Sequence, residues 1–336
     1  MKTALLPRRR LFAMLARLEN GKRRIMSQPI LTLTLNPAID GACETEVVRH
    51  THKLRTSNER YDAGGGGINV SRVLARLGSP TIACYLAGGF TGRLLDQLIE
   101  AAEIPHLSIP IGDATRISHA VYERSTGREY RFVPEGPHIR EAEWRAALDR
   151  VCEADFSILV ASGSLAPELP EDFYARLQDV TEQKGARMVL DSSGPALERG
   201  AAAGGLWMMK PSRGEFETLI GRKCTDMDDM GRAAQELIAH GAAEILVISL
   251  GHEGALLAHA GGTLCRKPPQ VEVQSAVGAG DSFVAGMTHR LAQGWTPERA
   301  FLYGMAAGTA AVLTPGNDLC HPEDVERLFA ELEKED

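Results

Sequence analysis

The stretch SAVGAGDSFVAG at residues 275–286 places an aspartate directly behind a loop that has almost no side chains. Gly278 and Gly280 allow the N–H groups of the loop to converge, and a helix predicted to begin near Ser282 adds the positive end of its dipole, so the loop suits an anion. A carboxylate there, Asp281, makes chemical sense if it accepts a proton from an attacking hydroxyl while the N–H groups hold a phosphoryl group. The pattern favours phosphoryl transfer; the alternative is that Asp281 only caps the helix, which is worth about 1 kcal/mol.

A second glycine run, AGGGGINVSR at residues 63–72, also precedes a helical pattern. Four consecutive glycines put no side chain in the way of a small polyhydroxylated ligand, and the amide of Asn69 could bond a hydroxyl. The alternative is a flexible turn with Asn69 exposed on the helix. The run lacks the G-x-G-x-x-G spacing of dinucleotide-binding loops, which disfavours an oxidoreductase.

Other polar residues stand where predicted strands end, and open α/β sheets bind ligands beyond the carboxyl ends of their strands. These residues are Asp40, Ser162 to Ser164, Asp191, and Lys210 with Glu215. Lys53, Arg55 and Arg116 are basic residues near a predicted lid, and arginine pairs well with phosphate. The histidines show no metal-binding pattern.

The elements that must position these residues alternate along the chain. Short apolar runs predict strands at residues 30–36, 81–89, 156–163, 187–193 and 244–251. Helical spacing is found at residues 68–78, 92–103, 171–184, 227–240, 282–293 and 297–313. This alternation predicts an α/β fold with a parallel sheet and helices on both faces.

Residues 40–62 and 117–133 break this rhythm with polar, strand-like alternation, and Ser125-Thr126-Gly127 is typical of a hairpin turn. We expect a small, mostly antiparallel sheet that stands off the main domain as a lid.

Composition sets further limits: 44% of the 336 residues are hydrophobic and the net charge is −7, so no general affinity for nucleic acid is expected. The six cysteines are far apart and form no C-x-x-C pair, which disfavours a disulfide framework and favours the reducing cytoplasm. No membrane span is predicted, because the longest uncharged run, residues 300–317, is rich in Gly and Ala and contains Pro315.

Residues 1–25 carry eight Lys or Arg and one Glu, a local charge of +7, and Arg17 interrupts their apolar run. That interruption disfavours a secretory signal. The segment is either a basic membrane-surface helix or the product of a start codon placed too early, with Met26 as the true start. We therefore divide the chain into a basic extension at residues 1–28, disordered or absent from the native protein, and one domain at residues 29–336.

GGGGINVSRVLARLG with the following AGGFTG, and SAVGAGDSFVAG, together resemble the signatures of the ribokinase-like sugar kinases of the PfkB family, over about residues 29–332. The second signature is close to the D-T-x-G-A-G-D pattern of that family, with Ser275-Ala276-Val277 replacing its opening. The resemblance implies a three-layer α/β/α sandwich with a central mixed sheet, plus a small β-sheet lid that often forms a homodimer contact.

The resemblance also implies roles for individual residues. Asp281 would be the base that deprotonates a sugar hydroxyl, and the N–H groups of Gly278, Ala279 and Gly280 would form the anion hole. The sugar phosphate would be bound by Asp40, Gly64, Gly65, Asn69, Arg116 and Ser164, with Lys53 and Arg55 near its phosphate, from the same or a neighbouring subunit. ATP would be bound by Lys210, Ser212, Glu215, Ser249, Gly251 and Gly254.

Two cations follow from the same resemblance. The family organises Mg²⁺ with an N-x-x-E motif, and here Glu215 is present while Ser212 replaces the usual Asn, which puts the affinity for Mg²⁺ in question rather than the reaction. Some relatives bind K⁺ beside the anion hole, where residues 275–277 and 311–316 would correspond. Thr314 and Asp318 depart from the pattern of those relatives.

Within the family, three features resemble the minor bacterial type of 6-phosphofructokinase. They are glycine in GGGGIN where fructose-1-phosphate kinases carry lysine, the Lys53-Leu54-Arg55 triplet, and the segment EYRFVPEG. The implied reaction is glycolytic: fructose 6-phosphate and MgATP give fructose 1,6-bisphosphate and ADP. The alternatives are a 1-phosphofructokinase, a tagatose-6-phosphate kinase, or a non-catalytic sugar-phosphate sensor.

Overall fold

The computed structural model describes residues 28–334, whose strands form two sheets. Within that range the strands are β1 (Ile30–Thr34), β2 (Ala38–Thr45), β3 (Ser57–Gly64), β4 (Thr81–Gly88), β5 (His106–Ile111), β6 (Arg116–Glu123), β7 (Arg128–Phe132), β8 (Ile158–Ser162), β9 (Arg187–Asp191), β10 (Leu206–Met209), β11 (Ala243–Ser249), β12 (Ala255–His259) and β13 (Gly262–Arg266). The helices there are α1 (Gly66–Arg76), α2 (Gly89–Ala101), α3 (Glu141–Glu153), α4 (Phe173–Gln183), α5 (Gly194–Ala203), α6 (Arg213–Leu219), α7 (Met227–Ala239), α8 (Ala279–Ala292), α9 (Pro297–Ala311) and α10 (Pro322–Leu332), with a short 3₁₀ turn at Gly251–Glu253.

The large sheet has nine strands in the order β13-β12-β11-β10-β9-β8-β1-β4-β5. All neighbouring strands from β11 to β5 in this order are parallel, as the β-α alternation predicts, and β12 and β13 run antiparallel at one edge. These two strands reverse because the connections at residues 250–254 and 260–261 are too short for the crossover that a parallel strand requires. The sheet is therefore mixed.

Helices cover both faces of this sheet because successive residues of a buried strand point to opposite sides. Leu159 of β8 belongs to one apolar core with Trp144 of α3 and Leu177 of α4, and Val160 belongs to another with Val284 of α8. The first core also includes α5 and α7, and the second includes α1, α9 and α10. The arrangement is a three-layer α/β/α sandwich.

The second sheet has four strands in the order β3-β2-β6-β7, and we call it the small sheet. β2 pairs antiparallel with β3 and parallel with β6, and β6 pairs antiparallel with β7 across the turn at residues 124–127. Only residues 35–37 separate β1 of the large sheet from β2. The carboxyl edge of the large sheet is therefore directly joined to the small sheet.

Several elements carry little periodicity and were not evident from the sequence. β10 is a run of four apolar residues, and α3 buries only Trp144, Ala147 and Val151 along its length. β5, β12, β13, α5, α6 and α10 also lie outside the predicted elements. α8 begins at Ala279, three residues before the predicted start, because Gly278 adopts a left-handed φ of 72° and ends the preceding loop there.

The basic extension predicted for residues 1–28 lies outside the described residues, except for Gln28. Across residues 28–334 the structure has no helix with the length and apolar character that a membrane span requires.

The contact between α1 and β1 can be tested at Gly67. The Cβ of an alanine there would stand 2.6 Å from Thr34 Oγ1 and 2.7 Å from the carbonyl oxygen of Leu33. We expect Gly67→Ala to lower the free energy of unfolding by about 1–3 kcal/mol in urea denaturation, because α1 must move off the strand. Gly214 of α6 has open space around an added Cβ, so Gly214→Ala should be neutral or stabilising by up to about 1 kcal/mol. Equal unfolding free energies for the two variants would contradict this close packing.

Candidate active site

The amino end of α8 lies at the carboxyl edge of the large sheet, where open α/β sheets bind their ligands. Gly278 precedes the helix in its left-handed conformation, and a Cβ at this position would strike Leu319. The N–H groups of a first helical turn have no acceptor within the helix, although here the Ala279 N–H lies 3.5 Å from the carbonyl oxygen of Ala276. The predicted anion loop is thus a glycine turn that leads into a helix amino end, and binding of a phosphoryl group there stays a prediction.

Asp281 is the third residue of α8, and its carboxylate turns to α1 rather than to the helix end. Its Oδ2 accepts a hydrogen bond from Asn69 Nδ2 at 2.8 Å. The alternative that Asp281 is the N-cap is wrong, because Gly278 occupies that position without a side-chain cap. Burial raises the pKa of Asp281 to about 6, with Asp191 adding to the rise, while the Asn69 bond and the charge of Lys210 act to lower it. A carboxylate with this pKa is ionised at neutral pH and is basic enough to accept a proton.

Lys210, directly after β10, brings a positive charge to the same place. Its Nζ forms a buried ion pair with Asp191 Oδ1 at 2.9 Å, and lies 3.5 Å from the point where a Cβ on Gly280 would stand. Burial acts to lower the pKa of Lys210, but Asp191 and Asp281 outweigh it and the pKa is raised. The ammonium group therefore stays protonated beside the glycine turn.

Asp40 of β2 and Asn69 of α1 are joined by a residue that was not predicted, Asn317. Asn317 Nδ2 donates to Asp40 Oδ2 at 2.9 Å and lies 3.4 Å from Asn69 Oδ1. Burial is the main cause that raises the pKa of Asp40 to about 6, against the lowering effect of Arg131 and nearby arginines. The structure thus brings two carboxylates with raised pKa values into one polar network.

The glycine run at residues 64–67 is packed closely against this network. A Cβ at Gly64 would strike the Asp40 carboxylate, and one at Gly65 would approach Thr34 Cγ2 to 2.7 Å. Asn69 is only 4% exposed, so the alternative of a flexible turn with an exposed Asn69 is wrong. The glycines make room for protein groups at this point, and their contact with a ligand stays a prediction.

Arg116 and Ser164 lie near each other at the base of the small sheet. Arg116 donates to the carbonyl oxygens of Asn36 and Pro134, both at 2.8 Å, and Asn36 Nδ2 lies 3.4 Å from Ser164 Oγ. The guanidinium group of Arg116 is therefore held in place by backbone carbonyls. Its proximity to Asp40 is seen in the Coulombic interaction between the two side chains.

Ser212 and Glu215, the candidates for the magnesium motif, bond to each other at the start of α6. Glu215 Oε2 accepts from the N–H of Ser212 at 2.7 Å, and the N–H of Glu215 donates to Ser212 Oγ at 3.4 Å, which forms a capping box. The Ser212 hydroxyl also donates to Glu215 Oε2 at 2.8 Å. The serine that replaces the usual Asn therefore has a helix-capping role in this chain. The negative charge of Glu215 also acts to raise the pKa of Lys210.

The remaining candidates for nucleotide contact form the next turn along the sheet. Ser249 ends β11 and pairs with Ser212 in a parallel bridge. Gly251 begins the 3₁₀ turn and Gly254 follows it, with positive φ values of 61° and 113°. A Cβ at Gly254 would strike the carbonyl of Arg266. The sheet edge thus places these residues in one row with Lys210.

Lys53 and Arg55 are not brought to this site within one chain. Both are exposed in the loop between β2 and β3, and the Arg55 carbonyl oxygen accepts from Thr45 Oγ1 at 3.3 Å. Thr45 lies five residues beyond Asp40 on β2, which is roughly 17 Å at the rise of a strand. The two basic residues occupy the far end of the small sheet.

The segments that correspond to a potassium site lie side by side. The Gln274 N–H donates to the Val312 carbonyl oxygen at 2.8 Å, and Thr314 Oγ1 lies 2.9 Å from the carbonyl oxygen of Ala311. Within residues 28–334 no cluster of three or more His, Cys, Asp or Glu side chains could hold a metal ion. A cation here would depend on backbone and hydroxyl oxygens.

Asp62 and Arg131 of the small sheet were also missed from the sequence. With Asp40 and Asn317 they line a cavity between the small sheet and the loop that contains Val277. Because successive residues of a strand point to opposite faces, the sequence indicates which residues of β3 and of β7 share a face. It does not indicate which of the two faces of the small sheet meets the large sheet. Asn317 follows Pro315-Gly316, a turn signal without chemical content.

Comparison with known proteins identifies the family. The model of the pfkB family carbohydrate kinases matches residues 33–324. The chain belongs to this family. The family predicted from the two glycine motifs is therefore confirmed.

Curated pfkB-family relatives match over nearly the whole chain. ATP-dependent 6-phosphofructokinase isozyme 2 of Mycobacterium tuberculosis is 41% identical over 315 residues, with coverage of 93% of this chain and 90% of the relative. The Escherichia coli protein of the same name is 38% identical over 306 residues, with 91% and 99% covered. A 1-phosphofructokinase of Bacillus subtilis is 31% identical over 306 residues, with 90% and 98% covered.

Solved structures of the family share the fold. Phosphofructokinase-2 from Escherichia coli in complex with potassium has a TM-score of 0.88 at 38% identity, with 91% of this chain and 99% of that chain covered. The same protein in complex with fructose 6-phosphate has a TM-score of 0.86 at 37% identity, with the same coverage. An Arabidopsis thaliana ribokinase, at 18% identity and a TM-score of 0.69 over 90% of this chain and 99% of that chain, shares the fold alone. The predicted ribokinase-like fold is confirmed.

The raised pKa of Asp281 has a consequence for stability. Because its pKa of about 6 lies above the ordinary 3.8, the fold favours the protonated form, and the wild type loses stability as pH rises from about 4 through about 6. Asparagine does not ionise, so Asp281→Asn should gain about 1–3 kcal/mol over the wild type between pH 4 and pH 8. Urea denaturation at both pH values measures this difference. Asp179→Asn, at an exposed position of α4, is the control and should give the same small difference at both pH values. A pH-independent effect of Asp281→Asn would contradict the raised pKa.

Proposed function

We propose that this chain transfers the γ-phosphoryl group of ATP to the hydroxyl on carbon 1 of fructose 6-phosphate, which gives fructose 1,6-bisphosphate. The observation that carries the proposal is the partly buried carboxylate of Asp281 at the amino end of α8, within 2.8 Å of Asn69 Nδ2 and near the charged Lys210. Relatives at 38–41% identity are named ATP-dependent 6-phosphofructokinases, whereas those named 1-phosphofructokinase or tagatose-6-phosphate kinase are 29–34% identical, which favours fructose 6-phosphate.

Asp281 accepts the hydroxyl proton as the sugar oxygen attacks the γ-phosphorus. Above pH 6 the carboxylate is ionised and free to accept it, and the Asn69 hydrogen bond orients its Oδ2. The N–H groups of Gly278, Ala279 and Gly280 and the ammonium group of Lys210 stabilise the negative charge on the transferred oxygens. The helix dipole of α8 adds to the same effect.

Magnesium fits the oxygen donors at the start of α6, because the Glu215 carboxylate is a hard oxygen ligand. When bound, the ion supplies positive charge to the phosphate oxygens. The Ser212 bonds hold the Glu215 carboxylate in a fixed orientation. Lys210, Ser249, Gly251 and Gly254 would contact the nucleotide, and residues 275–277 and 311–316 would hold a potassium ion.

The sugar phosphate would lie at the cavity between the small sheet and the loop that contains Val277. Its contacts would come from Asp40, Gly64, Gly65, Asn69, Arg116 and Ser164. Lys53 and Arg55 are too far along β2 to reach this cavity in the same chain, so we assign them to the sugar phosphate in a second subunit of a homodimer. Closure of the small sheet over the cavity, as a lid on the domain at residues 29–336, would exclude water as a competing acceptor.

A sugar panel tests the substrate. ADP formation would be measured with ATP and each of fructose 6-phosphate, fructose 1-phosphate and tagatose 6-phosphate. We expect the highest kcat/KM on fructose 6-phosphate. A higher value for either other sugar would reassign the substrate, and no ADP from any of them would indicate a sugar-phosphate sensor.

The base assignment is tested by turnover of Asp281→Asn. We expect kcat to fall by about two or more orders of magnitude, the scale of general-base catalysis, with KM for the sugar little changed. In the wild type kcat/KM should decrease below about pH 6, where Asp281 and Asp40 become protonated. Near-normal turnover of the variant would refute the assignment.

The small sheet presents a surface that suits self-association in the cytoplasm. Tyr61 and Phe132 are 48% and 58% exposed. Tyr61 pairs with Gly41, Gly41 with His119 and His119 with Phe132, so one row across the four strands contains both aromatic residues. Both side chains therefore lie on one face of the small sheet and form an exposed aromatic row. The Escherichia coli relative has also been solved in a tetrameric inhibited form.

A charge in this surface tests the dimer. We expect Phe132→Glu to shift the protein to monomer in sedimentation velocity and to raise KM for fructose 6-phosphate, because Lys53 and Arg55 of the second subunit are lost. Val273→Glu is the matched control, because Val273 is 62% exposed but lies outside the small sheet, and it should leave the oligomeric state unchanged. A Phe132→Glu protein with the sedimentation of the wild type would contradict this interface.

A further inference from the structure

Asn317 occupies a central position in the polar network, in the loop between α9 and α10. It is 5% exposed, and its Nδ2 donates to Asp40 Oδ2 at 2.9 Å and to Asn69 Oδ1 at 3.4 Å. An amide nitrogen carries two hydrogens, so one side chain can make both bonds at once. The Oδ1 of Asn317 lies on the other side, 3.4 Å from the point where a Cβ on Gly278 would stand. This amide therefore bonds the small sheet and α1, and its oxygen lies on the side of the glycine turn.

Asn69 transmits this arrangement to Asp281. Its Oδ1 accepts from Asn317 Nδ2 and, at 3.3 Å, from Arg72 Nη1, while its Nδ2 donates to Asp281 Oδ2 at 2.8 Å. If the amide flipped, its oxygen would face a carboxylate and its nitrogen would face two donors, so all three of its hydrogen bonds would be lost. The donors on its oxygen thus determine which end of Asn69 faces Asp281.

The loop around Asn317 is fixed on both sides. Arg60 Nη2 donates to the carbonyl oxygen of Pro315 at 2.8 Å, and Arg76 Nη2 pairs with Asp318 Oδ1 at 3.1 Å. Pro315 before Asn317 and Asp318 after it are thus held by side chains from β3 and α1. Asn317 therefore has a defined position relative to Asp40 and Asn69.

We propose that Asn317 is a positioning residue for the phosphoryl transfer: it orients the Asp40 carboxylate directly, and it orients the Asp281 carboxylate through Asn69. This inference rests on the proposed function. It implies that one side chain affects two kinetic constants, KM for the sugar through Asp40 and kcat through Asp281, while the nucleotide side of the sheet is left unchanged.

The test uses Asn317→Leu, which has a similar volume but no donor. We expect kcat to fall by about tenfold, the effect of one lost hydrogen bond in the transition state, and KM for fructose 6-phosphate to rise, with KM for ATP unchanged. The acid limb of kcat/KM should move to higher pH, because the Asn69 bond that lowers the pKa of Asp281 is weakened. The charged groups that also face these carboxylates are Asp191 and Lys210 at Asp281, and Asp62, Arg72, Arg116 and Arg131 at Asp40.

A second variant and a double variant separate positioning from stability. Asn317→Asp keeps the shape of the side chain but, when ionised, cannot donate to Asp40 or Asn69, so it should show at least the same loss of kcat. In the double variant Asn69→Leu, Asn317→Leu, kcat should equal that of Asn69→Leu alone, because Asn317 acts on Asp281 through Asn69.

Gln178→Leu is the matched control. Gln178 is also 5% exposed, and its Nε2 donates to the carbonyl oxygen of Gly205 at 2.7 Å, remote from Asp281. This variant should lose stability. The KM and kcat of the folded enzyme should stay within twofold of the wild type, and the apparent pKa of the acid limb of kcat/KM should be unchanged.

The proposal would be overturned if Asn317→Leu and Asn317→Asp both fold and keep kcat and the KM for the sugar within twofold of the wild type, with the same apparent pKa for the acid limb of kcat/KM. A double variant whose kcat losses multiply would also overturn it. A wild type that forms no ADP from any sugar phosphate would contradict the proposed function and this proposal together, whereas an active wild type with unaffected variants would contradict this proposal alone.

Discussion

The central constraint on this site is a carboxylate kept partly buried at the amino end of a helix. Burial, Asp191 and Asp40 all disfavour the charged form of Asp281, and the Asn69 hydrogen bond and Lys210 partly offset them. The result is a group that is ionised at neutral pH yet has a raised pKa. Such a balance lowers folding stability and favours proton acceptance, a compromise that is common at catalytic positions.

The parts of this site that are contiguous in sequence could be predicted from it. One turn contains Gly278, Ala279, Gly280 and Asp281. A glycine directly before a predicted helix indicates a residue in the left-handed conformation, so this turn could be predicted from the sequence. Asp40 and Asp191 were found by a topological rule, because they follow or end predicted strands at the carboxyl edge of the sheet. Local chemistry and a general property of α/β sheets were sufficient for these residues.

The partners that fix these side chains could not be predicted in the same way. Asn317 bonds a residue that is 277 positions away, and nothing in a Pro-Gly-Asn turn indicates which carboxylate it will meet. Ser212 was identified as a departure from a family motif, but its capping bond with Glu215 becomes evident only when α6 is seen to begin at Arg213. β10 and β12 were missed because short strands in a covered sheet carry little periodicity of their own.

The short connection between the two sheets would couple sugar binding to the proposed closure of the small sheet. Only Leu35, Asn36 and Pro37 separate β1 from β2, and Asp40 stands two residues into β2. In the proposed function, a sugar bound to Asp40 would act directly on β2, which belongs to the sheet proposed to close over the cavity. A sugar that binds Asp40 weakly would leave the small sheet open, and water could then accept the γ-phosphoryl group of ATP in place of the sugar. The rate of ATP hydrolysis without phosphoryl transfer to a sugar, measured with a sugar analogue present, would therefore report how strongly that analogue favours closure of the small sheet.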